Sequence, residues 1–305
     1  MPGWKSKEPR PLPFVAEYRW THICWGRVPK RELRRGVATL VGVPYVTNSR
    51  AKIYWNEQGS GPPVLLIMGL SFTHDMWFRV LPKLSERYRT IFFDNRGMGR
   101  SDAPRGPYRM RLMAQDAAAV LDAAGVAAAH IIGASMGGMI AQELAIRHPH
   151  RVLSLLLGCT SYGGLLARWP SFSHAPRNLP LGDDARMSRE VALIPLLYSP
   201  STAMELIEED LRVRAGCHWS NRGFWGQFGG ILMWNSYRRL PRIKAPTLVV
   251  HGEDDKLVPP VNGRVVAKRI PGARFELLPK AGHILVTDQL EACVGLMLEF
   301  LGTQE

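Results

Sequence analysis

The hydrophobic positions of the chain fall into short continuous runs that alternate with stretches of helical spacing. Val64–Met68 is apolar throughout, which is typical of a strand buried on both faces of a sheet. Similar runs predict strands at Val37–Val43, Ala51–Trp55, Thr90–Phe93, His130–Ile132, Val152–Leu157, Leu248–Val250 and Phe275–Leu278. Helical spacing predicts helices over Met76–Leu84, 110–124, Met139–Ala145 and Leu290–Leu301. This alternation predicts an α/β fold with a mostly parallel, doubly wound sheet covered on both faces.

The interval 160–240 breaks the alternation. It holds no convincing buried strand, and its helix-like stretches include Arg189–Tyr198 and Met204–Arg214. Its aromatic residues are Trp169, Phe172, Trp219, Phe224, Trp225, Phe228, Trp234 and Tyr237. We interpret it as a helical cap insertion over the carboxyl edge of the sheet, where open α/β sheets bind ligands. A minority of these aromatic side chains are expected to line a pocket, because a small helical layer needs most of them for its own core.

Length and charge add a leader to this picture. With 305 residues, 46% of them hydrophobic, the chain can bury one large domain plus an insertion. We divide it into a basic, Pro-rich leader at 1–36, a core at 37–159 and 241–305, and the cap at 160–240. The leader holds nine Lys/Arg against three Glu, so it supplies +6 of the net charge of +13. It is interpreted as an extended arm, with binding to a membrane surface or a partner as the alternative.

The remaining positive charge does not indicate a nucleic-acid partner. Beyond the leader the arginines are scattered and no nucleic-acid-binding motif occurs, so a solvated basic surface is the better interpretation. We find neither an apolar stretch long enough to cross a bilayer nor a secretory signal. The cysteines lack C-x-x-C pairing, which predicts reduced thiols, no zinc site and a cytoplasmic location. They are Cys24, Cys159, Cys217 and Cys293.

A G-x-S-x-G pattern centred on Ser135 is the first candidate for chemistry. It joins a predicted strand to a predicted helix, which is the arrangement of a nucleophile elbow. The turn strains the serine backbone, so small residues are needed at Gly133 and Gly137, where strand and helix approach each other. Ser135 would present its hydroxyl to a base, and the Met136 N–H would face a developing oxyanion. The alternative is a glycine-rich turn with a bystander serine.

A base and an acid follow at the ends of later strands. Serine is a weak nucleophile that needs a base, and the base needs an acid to orient it. The loop after Leu248–Val250 carries Glu253, Asp254 and Asp255, and His283 lies just past the last predicted strand. The chain order serine, acid, histidine is that of an α/β-hydrolase. Together these pieces favour a catalytic triad over a solvated loop and a structural histidine.

From about Val37 to Leu301 the chain resembles the α/β-hydrolase fold family. The matching signatures are Met68-Gly69-Leu70, the D-x-R-G-x-G-x-S loop at Asp94–Ser101, the elbow at Gly133–Gly138, the loop at His251–Asp255 and Ala281-Gly282-His283. The resemblance implies that the acid is Asp255, three residues after the loop glycine, in preference to Asp254 or Glu253.

The resemblance also implies an oxyanion hole built from the backbone N–H groups of Leu70 and Met136. The sequence departs from the commoner family pattern by having Met68 in place of a histidine. A hole made of backbone groups survives a side-chain change. The geometry of the loop, and with it the preferred acyl group, is expected to depend on this position.

These residues predict acyl transfer to water through an acyl-enzyme, with Ser135 as nucleophile, His283 as base and Asp255 as orienting acid. Serine at the elbow argues against the branches that resemble haloalkane dehalogenases and epoxide hydrolases, which use aspartate there. The aromatic cap favours a small hydrophobic ester or lactone, with no metal or organic cofactor. A thioesterase, a C–C bond hydrolase, an aminopeptidase and a binding or sensor protein with little turnover remain alternatives. The sequence indicates no particular oligomeric state.

Overall fold

Eight strands form one sheet in the computed structural model, which describes residues 45–164, 166–170 and 186–304. The strands are β1 (Tyr45–Asn48), β2 (Ala51–Gln58), β3 (Pro63–Ile67), β4 (Arg89–Phe93), β5 (Ala129–Ala134), β6 (Val152–Gly158), β7 (Thr247–Gly252) and β8 (Arg274–Leu278). Their order across the sheet is β1-β2-β4-β3-β5-β6-β7-β8. The pairs β1–β2 and β2–β4 are antiparallel and all others are parallel. The predicted mostly parallel, doubly wound sheet is confirmed.

The strands are apolar because both faces of the sheet are buried. Leu65 in β3 and Ile131 in β5 belong to one apolar cluster, and the next residues, Leu66 and Ile132, belong to another. Successive side chains of a strand point to opposite faces, so an unbroken apolar run supplies both clusters. Each predicted strand within the described residues occurs, with its ends shifted by at most three residues. The strand predicted at Val37–Val43 lies outside the described residues.

Helices cover both faces of the sheet. In the described ranges they are α1 (Leu81–Leu84), α2 (Met110–Ala123), α3 (Met136–Arg147), α4 (Arg186–Leu197), α5 (Met204–Gly216), α6 (Asn221–Leu232), α7 (Val261–Arg269), α8 (Leu285–Asp288) and α9 (Leu290–Gly302). Helices α2, α3 and α7 pack on the cluster that contains Leu65, and α1 and α9 pack on the cluster that contains Leu66. No helix of the described part combines the length and apolar character that a bilayer span requires.

Some helices differ from the prediction. The stretch Met76–Leu84 forms two shorter elements, a 3₁₀ turn at His74–Trp77 and the helix α1. Pro82 lies in the first turn of α1, and a proline has no N–H with which an earlier helix could continue. Helices α6 and α7 lie outside the stretches named from helical spacing. α6 contains four glycines, each of which lowers helix propensity, so its local sequence conceals it.

The glycines of α6 allow backbones to touch at the carboxyl edge of the sheet. A Cβ added to Gly223 would lie 1.9 Å from the carbonyl oxygen of Gly97, in the loop after β4. Only glycine permits so close an approach. At the end of α4, the Leu197 carbonyl accepts a hydrogen bond from the His283 N–H at 2.8 Å. The helices between β6 and β7 therefore contact the loops that follow β4 and β8.

Gly137→Ala is expected to destabilise the fold. A Cβ at Gly137 would lie 2.0 Å from the carbonyl oxygen of Ile67, so β3 and α3 must move apart. Such overpacking typically lowers the free energy of unfolding by about 1–3 kcal/mol. Gly295→Ala in α9 is the matched control, because nothing lies within 4 Å of its added Cβ, and a gain of up to about 1 kcal/mol is expected there. Urea unfolding of both variants checks this, and a wild-type midpoint for Gly137→Ala would contradict it.

Candidate active site

The turn between β5 and α3 holds Ser135 in a strained backbone conformation. Its φ is 56° and its ψ is −119°, values that a side-chain-bearing residue rarely adopts. Its N–H donates to the Gly158 carbonyl at 2.8 Å, and the Thr160 hydroxyl donates to its carbonyl at 2.7 Å. These bonds hold the strained turn in place, so the backbone from which the half-buried Ser135 side chain projects is fixed.

Asp255 and His283 are brought together at the carboxyl edge of the sheet. His283 Nδ1 lies 2.8 Å from Asp255 Oδ2, and the Val258 N–H donates to Asp255 Oδ1 at 2.8 Å. Burial by itself would raise the pKa of Asp255, but His283 and His251 hold that pKa far below its usual range. Asp255 is therefore an ionised, buried carboxylate that can orient the imidazole.

The other two carboxylates of this loop are placed differently. Asp254 Oδ2 accepts a hydrogen bond from the Ser199 hydroxyl at 2.7 Å, and Glu253 is exposed. Among the contacts of the described residues, Asp255 is the carboxylate that meets His283. The geometry thus distinguishes three neighbouring acids that the sequence alone leaves nearly equivalent.

The serine and the histidine are not joined by a hydrogen bond. Within the described residues, none of 3.5 Å or less links the Ser135 hydroxyl to the His283 ring. Bonds of this kind are often long in unliganded sites and shorten when a substrate binds. The structure therefore unites Asp255 with His283 and leaves Ser135 without a hydrogen bond to that histidine.

The loop after β3 runs beside the serine. A Cβ added to Gly69 would lie 3.0 Å from Ser135 Cβ, so the backbone at Gly69 is close to the serine. Leu70 is the next residue in the chain. No described residue accepts a hydrogen bond from the Leu70 N–H. Met136 is the first residue of α3, where helix N–H groups lack a partner within the helix. Both N–H groups are therefore candidates for the donors of an oxyanion hole.

Met68, where the family more often has a histidine, is part of the core. Its side chain is buried in the cluster that contains Leu66, and its carbonyl accepts a hydrogen bond from Asn95 Nδ2 at 2.8 Å. The change therefore acts on packing behind the loop and leaves the backbone groups of the site available.

The comparisons with known proteins agree with this geometry. A family model described as the alpha/beta hydrolase fold matches residues 62–289. The chain belongs to the α/β-hydrolase fold family.

Relatives of this α/β-hydrolase carry enzyme names. It is 31% identical to a putative carbamate hydrolase, RutD, of Azorhizobium caulinodans, over 85% of this chain and 98% of that protein. It is 30% identical to a poly(3-hydroxyalkanoate) depolymerase of Ectopseudomonas oleovorans, over 78% and 84% of the two chains. The crystal structure of the enol-lactonase from Burkholderia xenovorans LB400 is similar, with a TM-score of 0.75, 26% identity and coverage of 85% and 100%. The protein is an α/β-hydrolase enzyme.

Gln227 is a residue of this hydrolase that the sequence analysis missed. It is fully buried on α6. Its side-chain oxygen accepts a hydrogen bond from the Ser71 N–H at 3.0 Å, and its side-chain nitrogen donates to the Arg96 carbonyl at 2.9 Å. Ser71 follows Leu70 directly and has a φ of 62°. Gln227 thus fixes the loop that carries the Leu70 N–H. In the sequence, the one feature that could have indicated this role is a polar residue among the glycines of α6, a helix that local spacing does not predict.

His251 is a second histidine on the acid. Its Nε2 lies 2.7 Å from the Val258 carbonyl oxygen and 3.3 Å from Asp255 Oδ2, so this nitrogen must carry the proton. Its Nδ1 is buried and has no hydrogen-bond partner among the described residues. His251 belongs to a family signature whose sequence gave this histidine no separate role; here it stabilises the charge of the Asp255 carboxylate.

The loop after β4 is a scaffold for the site. Arg96 and Asp116 form a buried ion pair of 2.5 Å, in which the residues are 2% and 1% exposed. Asp94 accepts hydrogen bonds from the N–H groups of Arg100 and His74, both at 2.9 Å. Buried polar groups of this kind specify one arrangement when each is satisfied. They join the loop after β4 to α2 and to the loop after β3.

One buried group has the composition of a metal site. Cys159, His251 and Asp255 each offer one ligand atom, and these atoms lie within 4.8 Å of one another. Asp255 already contacts His283, and His251 Nε2 is engaged by a carbonyl oxygen. Burial raises the pKa of the Cys159 thiol well above its ordinary value, whereas metals bind the thiolate. The chemistry of this donor set therefore disfavours a metal.

Asp255→Asn is expected to lower kcat for ester hydrolysis by about 10³- to 10⁴-fold, because the amide cannot hold the imidazole in the required tautomer. Asp254→Asn is the matched control, since an amide oxygen still accepts the Ser199 hydrogen bond, and near wild-type kcat is expected. Steady-state kinetics of the two variants check this. Equal losses in both would contradict the assignment of the acid.

Gln227→Leu is expected to lower kcat by up to about 100-fold with little change in KM, because the Leu70 loop loses the hydrogen bond that fixes it. Gln227→Glu retains the acceptor for the Ser71 N–H, so its kcat should fall between those of the wild type and of Gln227→Leu. Kinetics on a soluble ester, with circular dichroism to check folding, provide the measurement. A folded Leu variant with wild-type kcat would remove Gln227 from the site.

Proposed function

We propose that this α/β-hydrolase cleaves a small hydrophobic carboxylic ester or lactone through an acyl-enzyme, with Ser135, Asp255 and His283 as its triad. The observation that carries the proposal is the Asp255–His283 pair, 2.8 Å apart, in the loops after β7 and β8. Because β5 to β8 are parallel, these loops lie at the same edge of the sheet as the strained Ser135 turn. Strain at a serine that is fixed by its surroundings is a feature of nucleophile elbows.

In the proposed mechanism His283 Nδ1–H donates to Asp255, which leaves Nε2 free to take the proton from the Ser135 hydroxyl. The serine oxygen forms a bond to the substrate carbonyl carbon, and the carbonyl electron pair moves to its oxygen. Collapse of this intermediate expels the alcohol, which takes the proton from His283. Water then repeats the sequence on the acyl-enzyme and releases the acid.

The developing oxyanion is stabilised in this mechanism by the N–H groups of Leu70 and Met136. A backbone donor that is already oriented adds no reorganisation at the moment of reaction. Loss of one such donor costs on the order of 3 kcal/mol in the barrier. The position of Met136 at the start of α3 adds the positive end of the helix dipole.

Two observations favour an ester or lactone. A lactone is a cyclic ester and a poly(3-hydroxyalkanoate) is a polyester, so the enol-lactonase and the depolymerase bear names that share one bond type. α6 carries an aromatic pair, the rings of Phe224 and Phe228, which stack at 5.9 Å, and Trp219, just before the helix, packs on Phe224 at 6.1 Å. Such a helix supports a substrate with an apolar acyl or alcohol group, and no metal or organic cofactor is required.

We extend the proposal to the organisation of the chain. Residues 160–240 act as the cap over a core of 37–159 and 241–305, supported by contacts of α4 and α6 with loops at the carboxyl edge. Residues 1–36 are a leader. Among the described cysteines, Cys159 and Cys293 are buried free thiols, which favours a reducing cytoplasmic location. The proposed partner is a small-molecule substrate, with no nucleic acid.

Ser135→Ala is expected to abolish hydrolysis of p-nitrophenyl esters, because the base then has no nucleophile to activate. The assay compares acyl chains of increasing length, and the optimum measures the acyl pocket. Ser85→Ala is the matched control: its hydroxyl is buried without a partner among the described residues, so full activity is expected.

Undiminished hydrolysis by Ser135→Ala would overturn the proposed nucleophile. Tight binding of esters or lactones by the wild type, with negligible turnover, would replace the proposed enzyme activity by a sensor role on the same fold.

A further inference from the structure

A cavity of about 580 Å³ lies between α2, the end of α3 and the 3₁₀ turn at Leu240–Arg242. Most of the side chains that line it are cationic or can become so: Arg111, Arg147, His148, Arg239 and Arg242. The volume falls within the range of small-molecule sites. A cavity of this size lined by four guanidinium groups is suited to an anion.

This cavity is separate from the candidate active site. Arg147 is the last residue of α3, and Ser135 immediately precedes the first. A helix rises about 1.5 Å per residue, so the length of α3 separates the two by roughly 18 Å. The cavity therefore does not hold the bond that Ser135 is proposed to cleave.

The charge of the cavity is only partly neutralised from within. The buried Glu143 accepts hydrogen bonds from Arg147 and from Arg239 Nη1, the latter at 2.7 Å. Burial by itself would raise the pKa of Glu143, but Trp234, Arg147 and Arg239 lower it, so it is ionised. One carboxylate thus serves two of the four arginines.

Arg111 and Arg242 are the two arginines of the cavity that Glu143 does not contact. Neither forms an ion pair or a side-chain hydrogen bond within the part of the chain that the structure describes, and both are exposed. They lie on different elements, α2 and the 3₁₀ turn, on the walls of one cavity. Two guanidinium groups without an ion pair, on separate walls of one cavity, are available to hydrogen-bond a bound anion.

The positive field extends to His148. Its pKa is lowered, first by burial and then by the positive charges of His150, Arg151 and Arg147. Asp122 acts in the opposite direction but does not cancel them. An anion in the cavity would oppose the contribution of these positive charges and favour the protonated imidazole.

The sequence keeps acids away from two of the walls. No Asp or Glu occurs between Asp102 and Asp116, the segment that contains Arg111. None occurs between Asp210 and Glu253, a segment of seven Lys/Arg that contains Arg239 and Arg242. The imbalance is confined to stretches that are far apart in the chain and meet at the cavity.

We propose that this cavity binds a multiply charged phosphoryl group, held by Arg111 and Arg242 with Arg147 and Arg239 in support. Planar guanidinium groups match phosphate oxygens in bidentate geometry, and a second negative charge is favoured because more than one unpaired cation faces it. The phosphoryl group is carried either by a soluble diphosphate or by the headgroup of a lipid.

Exposed apolar side chains that precede Trp234 in the chain support a lipid as the source of the phosphoryl group. Leu232 and Met233 are each 55% exposed at the end of α6. The next residue, Trp234, donates its indole N–H to Glu143 at 3.0 Å, which ties this apolar pair to the arginine cluster. Arginine with exposed apolar side chains is the combination that binds anionic membrane surfaces.

The test uses the full chain and two charge-matched double variants. Arg111→Gln/Arg242→Gln removes the unpaired guanidinium groups. Arg87→Gln/Arg212→Gln removes two exposed arginines elsewhere, on the α1–β4 connection and on α5. Calorimetric titration with inorganic pyrophosphate examines the soluble source, and sedimentation with phosphatidic acid–phosphatidylcholine vesicles examines the lipid source. Thermal unfolding verifies that both variants fold.

Binding that the first variant weakens by at least about tenfold, and the second leaves near wild type, is the expected result. If this pattern is seen with pyrophosphate, the ligand of the cavity is a soluble diphosphate. If it is seen with vesicles alone, the ligand is a lipid headgroup. Equal weakening in both variants would reduce the effect to net charge and overturn the site. Absence of binding in both arms would overturn it as well.

Discussion

Close backbone contact around Ser135 is the constraint on which the rest of the site depends. A Cβ on Gly133 would lie 2.5 Å from the Gly137 carbonyl oxygen, and one on Gly137 would lie 2.0 Å from that of Ile67. Strand β5, helix α3 and the end of β3 therefore meet with no side chain between them. This proximity strains Ser135, places Met136 at a helix start and lays the Gly69–Leu70 loop beside the serine.

Around that contact, buried polar groups fix the loops. The Arg96–Asp116 ion pair holds the loop after β4 on α2, and Gln227 connects that loop to Ser71 from α6. The ion pair and the bond from Gln227 to the Arg96 carbonyl are buried, so leaving a partner unsatisfied would be costly and alternative loop positions are disfavoured. The helices inserted between β6 and β7 thus help to build the candidate site as well as flanking it.

The acid of the site illustrates how the environment selects among similar residues. Glu253, Asp254 and Asp255 are adjacent in the chain and alike in chemistry. The exposed Glu253 stays solvated and Asp254 pairs with Ser199, while Asp255 is buried against His283 and His251. Burial opposes its charge, but the two imidazoles outweigh that effect, and the carboxylate remains ionised.

The sequence by itself determined strands β2 to β8, the elbow and the order of serine, acid and histidine, because apolar runs and turn residues reflect local physics. Strand β1 (Tyr45–Asn48) was not predicted. Family resemblance indicated Asp255 and the Leu70 and Met136 N–H groups. Only the tertiary structure revealed α6, Gln227 and the arginine cavity. The glycines of α6, which lower its helix propensity, are required by the close approach of neighbouring backbones. Arg111 and Arg242 line one cavity although they are 131 positions apart in the chain. Such features arise from contacts between distant segments, to which local periodicity carries no signal.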